Sequence, residues 1–134
     1  MFDILTIDWG SVRFGMAFGS TQMGLVVPCQ YNCYNKEIWE VIDREITTRK
    51  IQTILVGMPM TRQLKPTEVT LKVVEFVETL KTKYKVKYPQ LKIETINERN
   101  TTQKALSKIR ELTKHGINHN SAVEICNLYF LSKV

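Results

Sequence analysis

Cysteine is scarce in this chain and badly placed for cross-linking. Cys29, Cys33 and Cys126 are odd in number, and the first two do not form a Cys-x-x-Cys pair. That excludes a disulfide framework and a zinc-ligand pattern and points to free thiols in a reducing cytoplasm. Long apolar runs are missing too. None reaches the ~18 residues that a membrane span needs, and no basic segment precedes an apolar one at the start. No membrane partner and no secretory leader are expected. Internal repeats, low-complexity tracts and linkers are absent. So is a Gly-Lys-Ser/Thr phosphate loop.

Acidic residues are outnumbered, 13 against 19 Lys and Arg, for a formal charge of +6. A basic excess of this size suits a polyanionic partner such as nucleic acid, or simply a soluble basic protein. The 134 residues suit a single domain, 1–134, and a 43% apolar content is enough for one core.

The hydrophobic pattern changes period along the chain. Phe2 to Asp8, Arg13 to Gly19 and Gly24 to Tyr34 read as three strands with short connections, which favours an antiparallel meander. Glu37 to Arg49 is helical, with Ile38, Val41, Ile42 and Ile46 at helical spacing. Ile51 to Gly57 is a compact apolar strand, and Met58 to Pro66 form a loop. Thr67 is placed to cap a long helix with Val69, Val73, Phe76, Val77, Leu80 and Tyr84 on one side. Leu91 to Ile96 is a fifth strand. Asn100 caps a further helix, with Gln103 as its capping-box partner and Leu106, Ile109 and Leu112 as its stripe, and Gly116 ends it. A last helix starts at Asn118 or Asn120 and runs to Leu131. This order predicts an α/β fold. Its mixed five-stranded sheet has three antiparallel strands followed by parallel ones, with helices on both faces.

Two acids stand at strand ends. Asp8 closes the first strand just before a glycine turn, and Glu98 follows the fifth. A carboxylate at a core strand's end costs stability unless it is solvated, hydrogen-bonded or bound to a cation. Ligand sites of open α/β sheets gather at that edge, and converging carboxylates suit a hard divalent ion. Mg²⁺ or Mn²⁺ there would suit phosphodiester hydrolysis. Taken singly, Asp8 reads equally well as a turn former and Glu98 as an exposed strand end.

The residues around these acids resemble the YqgF (RuvX) family of pre-16S rRNA nucleases and Holliday-junction-resolvase-like proteins. I-D-W-G-S-V-R-F-G-M-A-F-G resembles the family's opening, and Ile54 to Met60 its strand-plus-Gly-x-Pro block. Asn97 to Thr102 resembles its Asp-Glu-Arg-x-Ser/Thr-Thr block, and Ser121 to Phe130 its C-terminal helix. The resemblance covers nearly the whole chain. It implies an RNase H-like fold and metal-dependent cleavage of structured RNA or branched DNA, with maturation of the 5′ end of small-subunit ribosomal RNA from its precursor as the role. It assigns Asp8 and Glu98 as catalytic metal ligands, and Arg99, Thr101 and Thr102 as the residues flanking that Glu.

The departures are specific. The family's third acid, at the start of the last helix, falls on Asn118, and Asn97 replaces the Asp before the Glu. Gln63, Leu64 and Lys65 stand where an Asp-Gly is usual. Asn118 can offer a carbonyl oxygen to a metal but no charge, and it is equally a natural helix cap. Glu124 is six residues further on, at about 240° around the helix, and is not expected to substitute for it.

Arg13, Arg62, Lys65 and Arg99 are candidates for binding phosphates at the same edge, or a scatter of surface cations. Lys81 to Tyr88 reads as the solvated, dipole-stabilised end of a helix rather than a nucleic-acid track. His115 and His119 read as surface residues, and Trp9 carries no assigned chemistry. Three functions remain open: an active nuclease; a nucleic-acid-binding module that cleaves poorly; and a nucleotide-binding ATPase, because D-W-G-S also resembles an actin-like phosphate loop. The ATPase reading needs a second lobe that 134 residues do not provide. Monomer and weak homodimer are both open.

Overall fold

The computed structural model describes residues 2–31, 33–59, 67–97 and 121–132. Strands β1 (Ile4–Asp8), β2 (Arg13–Ser20) and β3 (Leu25–Pro28) form the antiparallel meander. A two-residue strand, β4 (Cys33–Tyr34), and a short 3₁₀ turn lead into helix α1 (Ile38–Arg49). Then come β5 (Thr53–Met58), the long helix α2 (Glu68–Lys87), β6 (Lys92–Asn97) and, after residues outside the described set, helix α3 (Ser121–Ser132). The sheet order is β3-β2-β1-β5-β6, and β4 also pairs with β2. β5 runs parallel to β1, and β6 parallel to β5. The mixed α/β architecture matches the expected fold class.

The sheet has six strands rather than five, because the single strand expected over Gly24 to Tyr34 is broken. β3 ends at Pro28, and the Cys29 N–H makes a last bond to the Met16 carbonyl at 3.0 Å before the chain leaves β2. The chain then detours outward, tied to α1 by Tyr31. The Tyr31 hydroxyl donates to Glu45 Oε1 at 2.7 Å, and Arg49 Nε donates to Oε2 at 2.7 Å. β4 then rejoins the other end of β2 at Arg13 and Phe14. Glu45 is only 6% exposed, so both hydrogen bonds are needed to offset its desolvation. Burial, with the Glu45 bond second, raises the Tyr31 pKa, so the phenol stays a donor.

Each strand sends alternate side chains to opposite faces. Leu5 and Ile7 of β1, Phe14, Met16 and Phe18 of β2, and Ile54 and Val56 of β5 meet α1 and α2 in the main core. That core takes Ile38, Val41, Ile42 and Ile46 from α1, and Val73, Phe76, Val77, Leu80 and Tyr84 from α2. Each such side chain, fully buried, contributes about 1.5–3 kcal/mol. Val69, expected in this stripe, is instead 44% exposed, and its neighbour Thr70 is buried. Thr70 is needed for the cap. Thr67 Oγ1 accepts from the Thr70 N–H, the Thr67 N–H donates to Thr70 Oγ1, and that hydroxyl donates to the Pro59 carbonyl. The capping box thus ties α2 to the chain leaving β5.

On the other face Ile4 and Leu55 pack against Ile125 and Cys126 of α3, and Ala17 against Ala122 and Val123. This layer is thin and close. A Cβ on Gly19 would lie 2.7 Å from Cys126 Sγ and 3.3 Å from the Phe130 ring. Only a residue without a side chain lets α3 sit this low on β2.

Candidate active site

The alternation that sends Leu5 and Ile7 into the main core sends Ile4, Thr6 and Asp8 to the α3 face. Asp8 ends the central strand, beside Gly15 of β2. Helix α3 runs against β1 so that Cys126 packs with Ile4, at the start of the strand, and Ser121 reaches Asp8, at its end. The Ser121 hydroxyl donates a hydrogen bond to the Asp8 carboxylate. Glu124, one helical turn later on the same side of α3, brings a second carboxylate into Asp8's field.

The turn after Asp8 is tightly held. A Cβ on Gly10 would lie 2.1 Å from the Arg13 carbonyl oxygen, so this position must be glycine. Asn35 Nδ2 donates to the carbonyl oxygens of Gly10 at 3.1 Å and Ser11 at 2.8 Å, and the Asn35 N–H donates to Val12 O. Trp9 packs edge-on to Phe14 at 6.3 Å, and Lys72 Nζ lies 6.0 Å from its ring. Trp9 therefore helps to seal the main core.

Burial raises the Asp8 pKa. The Ser121 hydrogen bond opposes that shift, and the negative charge of Glu124 adds to it. A desolvated carboxylate with a like charge nearby is poorly stabilised on its own. A carboxylate oxygen such as Asp8's is a hard donor of the kind that Mg²⁺ or Mn²⁺ takes. Among the described residues, no group of three or more His, Cys, Asp or Glu is arranged to hold a metal. The cysteines offer no alternative chemistry. All three are free, and burial pushes Cys33 and Cys126 up to about 11, so both remain thiols at neutral pH.

Of the residues picked out from sequence, Asp8 and Arg13 are described. Arg13 is exposed at the start of β2, two residues before Gly15, Asp8's cross-strand partner. Glu98, Arg99, Thr101, Thr102, Asn118, Arg62 and Lys65, with His115, His119 and the helix capped by Asn100, lie outside the described residues. β6 is described up to Asn97, the residue before Glu98, and its C-terminal end lies at the same sheet edge as that of β1. Lys81 to Tyr88 forms the last turns of α2, with Tyr84 buried and Lys87 Nζ 3.4 Å from Asp43, as a solvated helix end should. Glu124 adds its negative charge to the field at Asp8, while Asn118, from which its helical angle is reckoned, lies outside the described residues. Asn35 and Ser121 also escaped the sequence reading. Asx and hydroxyl side chains are common in turns and caps, and nothing local marks these two as different.

Comparison with known proteins gives this geometry a context. The family model described as "RuvX: Holliday junction resolvase" matches residues 3–131. A "Putative pre-16S rRNA nuclease" of Chlorobium chlorochromatii (strain CaD3) is 27% identical over 103 residues, 77% of this chain and 70% of that protein. A protein with the same title from Francisella tularensis subsp. tularensis (strain WY96-3418) is 24% identical over 118 residues, 87% of this chain and 83% of its own. Among solved structures, Archaeoglobus fulgidus Pelota aligns with a TM-score of 0.44 and 12% identity. It covers 97% of this chain, which spans only 35% of Pelota. No helix among the described residues is long and apolar enough to cross a membrane.

Proposed function

Because this chain belongs to the RuvX family of nucleases, we propose that it hydrolyses phosphodiester bonds in structured RNA with Mg²⁺ or Mn²⁺, trimming the 5′ end of the small-subunit ribosomal RNA precursor. The observation that carries the reading is Asp8, a desolvated carboxylate at the end of the central strand, hydrogen-bonded by Ser121. Asp8 and Glu98 hold the ion, with Asn118 contributing a carbonyl oxygen. Such an ion supplies an activated water and charge stabilisation for the pentacoordinate phosphorus. The Ser121 hydroxyl fixes one Asp8 oxygen, and the Gly10 turn, locked by Asn35, keeps the carboxylate at a constant height. Arg13, Arg62, Lys65, Arg99, Thr101 and Thr102 bind the nucleic acid, and the +6 charge draws the polyanion in.

The test is cleavage of a 5′-extended RNA stem in Mn²⁺. The native chain cuts it, and Asp8→Ala does not. An Asp8→Ala chain that cuts as well as the native one overturns the reading. Asn118 favours a second reading, a binding module that keeps the fold and the basic face and cuts poorly. A native chain that binds the stem without cutting it, and an Asn118→Asp chain that gains a large activity, would establish that alternative. A four-way DNA junction, run in parallel, separates RNA processing from junction resolution.

A further inference from the structure

The net positive charge of the chain is concentrated in one stretch. Residues 79–93 carry Lys81, Lys83, Lys85, Lys87 and Lys92 and no Asp or Glu, against an excess of +6 for the whole chain. Lysines near a helix C-terminus suit the dipole, which accounts for their sign but not for what they surround. This solvated end of α2 has two sides. On one, Lys83 Nζ lies 5.3 Å from the Trp39 ring and Lys87 Nζ 3.4 Å from Asp43, both residues of α1. On the other, Lys81, Tyr84, Lys85 and Tyr88 follow at helical spacing and line a groove of about 270 Å³ between the end of α2 and the start of β6. Leu91 and Ile93 add apolar surface to it. The Tyr84 and Tyr88 rings are 5.4 Å apart; Tyr84 is fixed in the main core, and Tyr88 is half-buried. Lys81 and Lys85 are exposed, and neither is in an ion pair among the described residues.

Cations beside aromatic and apolar surface suit unpaired nucleotides, because lysine takes the phosphate and a ring takes the base. A groove smaller than the ~300–1,000 Å³ of a drug-sized site holds a base or two, not a duplex. Bases inside a duplex are stacked on one another and cannot enter it. We propose that this groove binds a single-stranded segment of the RNA, with Lys81 and Lys85 on its phosphates and a base against Tyr88. The groove stands well away from Asp8. Ile93 is level with Ile54 and Leu5, whereas Asp8 ends β1, and β5 lies between β1 and β6. The separation is roughly 10 Å along the strands and 10 Å across them. An RNA cut at Asp8 is thus gripped a second time, through its unpaired flank. This rests on the nucleic-acid reading above and adds a remote contact to it.

Fluorescence anisotropy in EDTA tests this on the full-length chain without turnover. The probes are a labelled blunt RNA stem and the same stem with an unpaired 5′ extension. The native chain should bind the extended stem more tightly. Lys81→Ala with Lys85→Ala should weaken that binding about tenfold and flatten its log–log salt slope by about 1.4, at ~0.7 per single-strand phosphate contact. Tyr88→Leu keeps apolar bulk at a half-buried position and should weaken it about fivefold, the lower end of what one base stack contributes. The blunt stem should lose less in both variants, and their Tm should stay near native. Lys83→Ala with Lys87→Ala removes the same charge from the other side of the helix end. Equal losses in the two double variants show general attraction to a basic surface and overturn the proposal. So does unchanged binding of the extended stem in Lys81→Ala with Lys85→Ala or in Tyr88→Leu. A Glu-rich peptide of the same charge that binds the native chain more tightly than the extended stem makes an acidic protein segment the occupant, and likewise overturns it. All these outcomes leave the nuclease reading standing. If the native chain binds neither RNA, the nucleic-acid reading itself fails.

Discussion

The two faces of the sheet are built on opposite terms. Toward α1 and α2, the inward positions Leu5, Ile7, Phe14, Met16, Phe18, Ile54 and Val56 are apolar, and aromatic rings run in contact from Trp9 through Phe14 and Phe76 to Trp39 and Tyr84. Toward α3, the layer is thin and interrupted. Thr6 is fully buried and Asp8 partly so on this face, and the Tyr129 hydroxyl donates to Glu94 at 2.6 Å. The first face supplies stability, and the second accepts the cost of a partly buried carboxylate, Asp8, at a strand end. A small domain has only a modest margin, roughly 5–15 kcal/mol, so the second cost is tolerable only because the first face is so complete.

This contrast can be broken most sharply at Asp8. Asp8→Asn should lower cleavage by at least two to three orders of magnitude, the scale of losing one group that stabilises a transition state. The same change should raise the metal-free Tm, because an ionised, desolvated carboxylate is replaced by a neutral amide. Cleavage kinetics and thermal unfolding would move in opposite directions. Equal losses in both would show the two faces to be alike.

Leu80→Ala attacks the other face. Leu80 is fully buried in the main core, and its truncation should cost about 2–5 kcal/mol in a denaturant titration. Residual cleavage at a temperature where the variant is folded should be near native. Gly19→Ala comes next. The added methyl meets Cys126 Sγ, and overpacking of this kind costs about 1–3 kcal/mol. Because it lifts α3 at the site, cleavage should fall further than stability does, and adding Cys126→Ala should recover part of both.

The smallest effects sharpen the comparison further. Cys126 is held up to about 11 against an ordinary thiol value of 9.0. The folded state keeps its proton longer than the unfolded one. Stability from this group is therefore complete below pH 9 and is lost as pH rises through about 11. Chemical denaturation across that range should show the loss, and Cys126→Ala should remove it. Thr67→Ala, which unmakes the α2 cap, should cost about 1 kcal/mol in the same assay with no change in metal binding.

How much of this was legible in sequence follows from what periodicity reports. The spacing of Ile38, Val41, Ile42 and Ile46 marks a helix because their own positions share a stripe, and the structure buries all four. Asp8 was legible as an acid closing the first strand before a glycine turn, and β1 ends at it, although position alone left a turn former equally open. Thr67 was legible as a cap, but Val69 and Thr70 were exchanged, because the cap's demand for a second hydroxyl overrides the apolar stripe. The break at Pro28 was hidden because Tyr31, Glu45 and Arg49 come together only in the fold.

Gly19 fits α3 to β2 like a key cut with no tolerance. The glycine's hydrogen atom, the Cys126 sulfur and the Phe130 ring fill the space between strand and helix, so none of the three can grow alone. Relatives that carry a side chain at position 19 must therefore have a smaller residue at 126 or 130, or a helix that stands off the sheet and no longer delivers its first turn to the end of β1. Bulk traded between these positions, rather than identity at any of them, is the mark this joint should leave on the family's sequences.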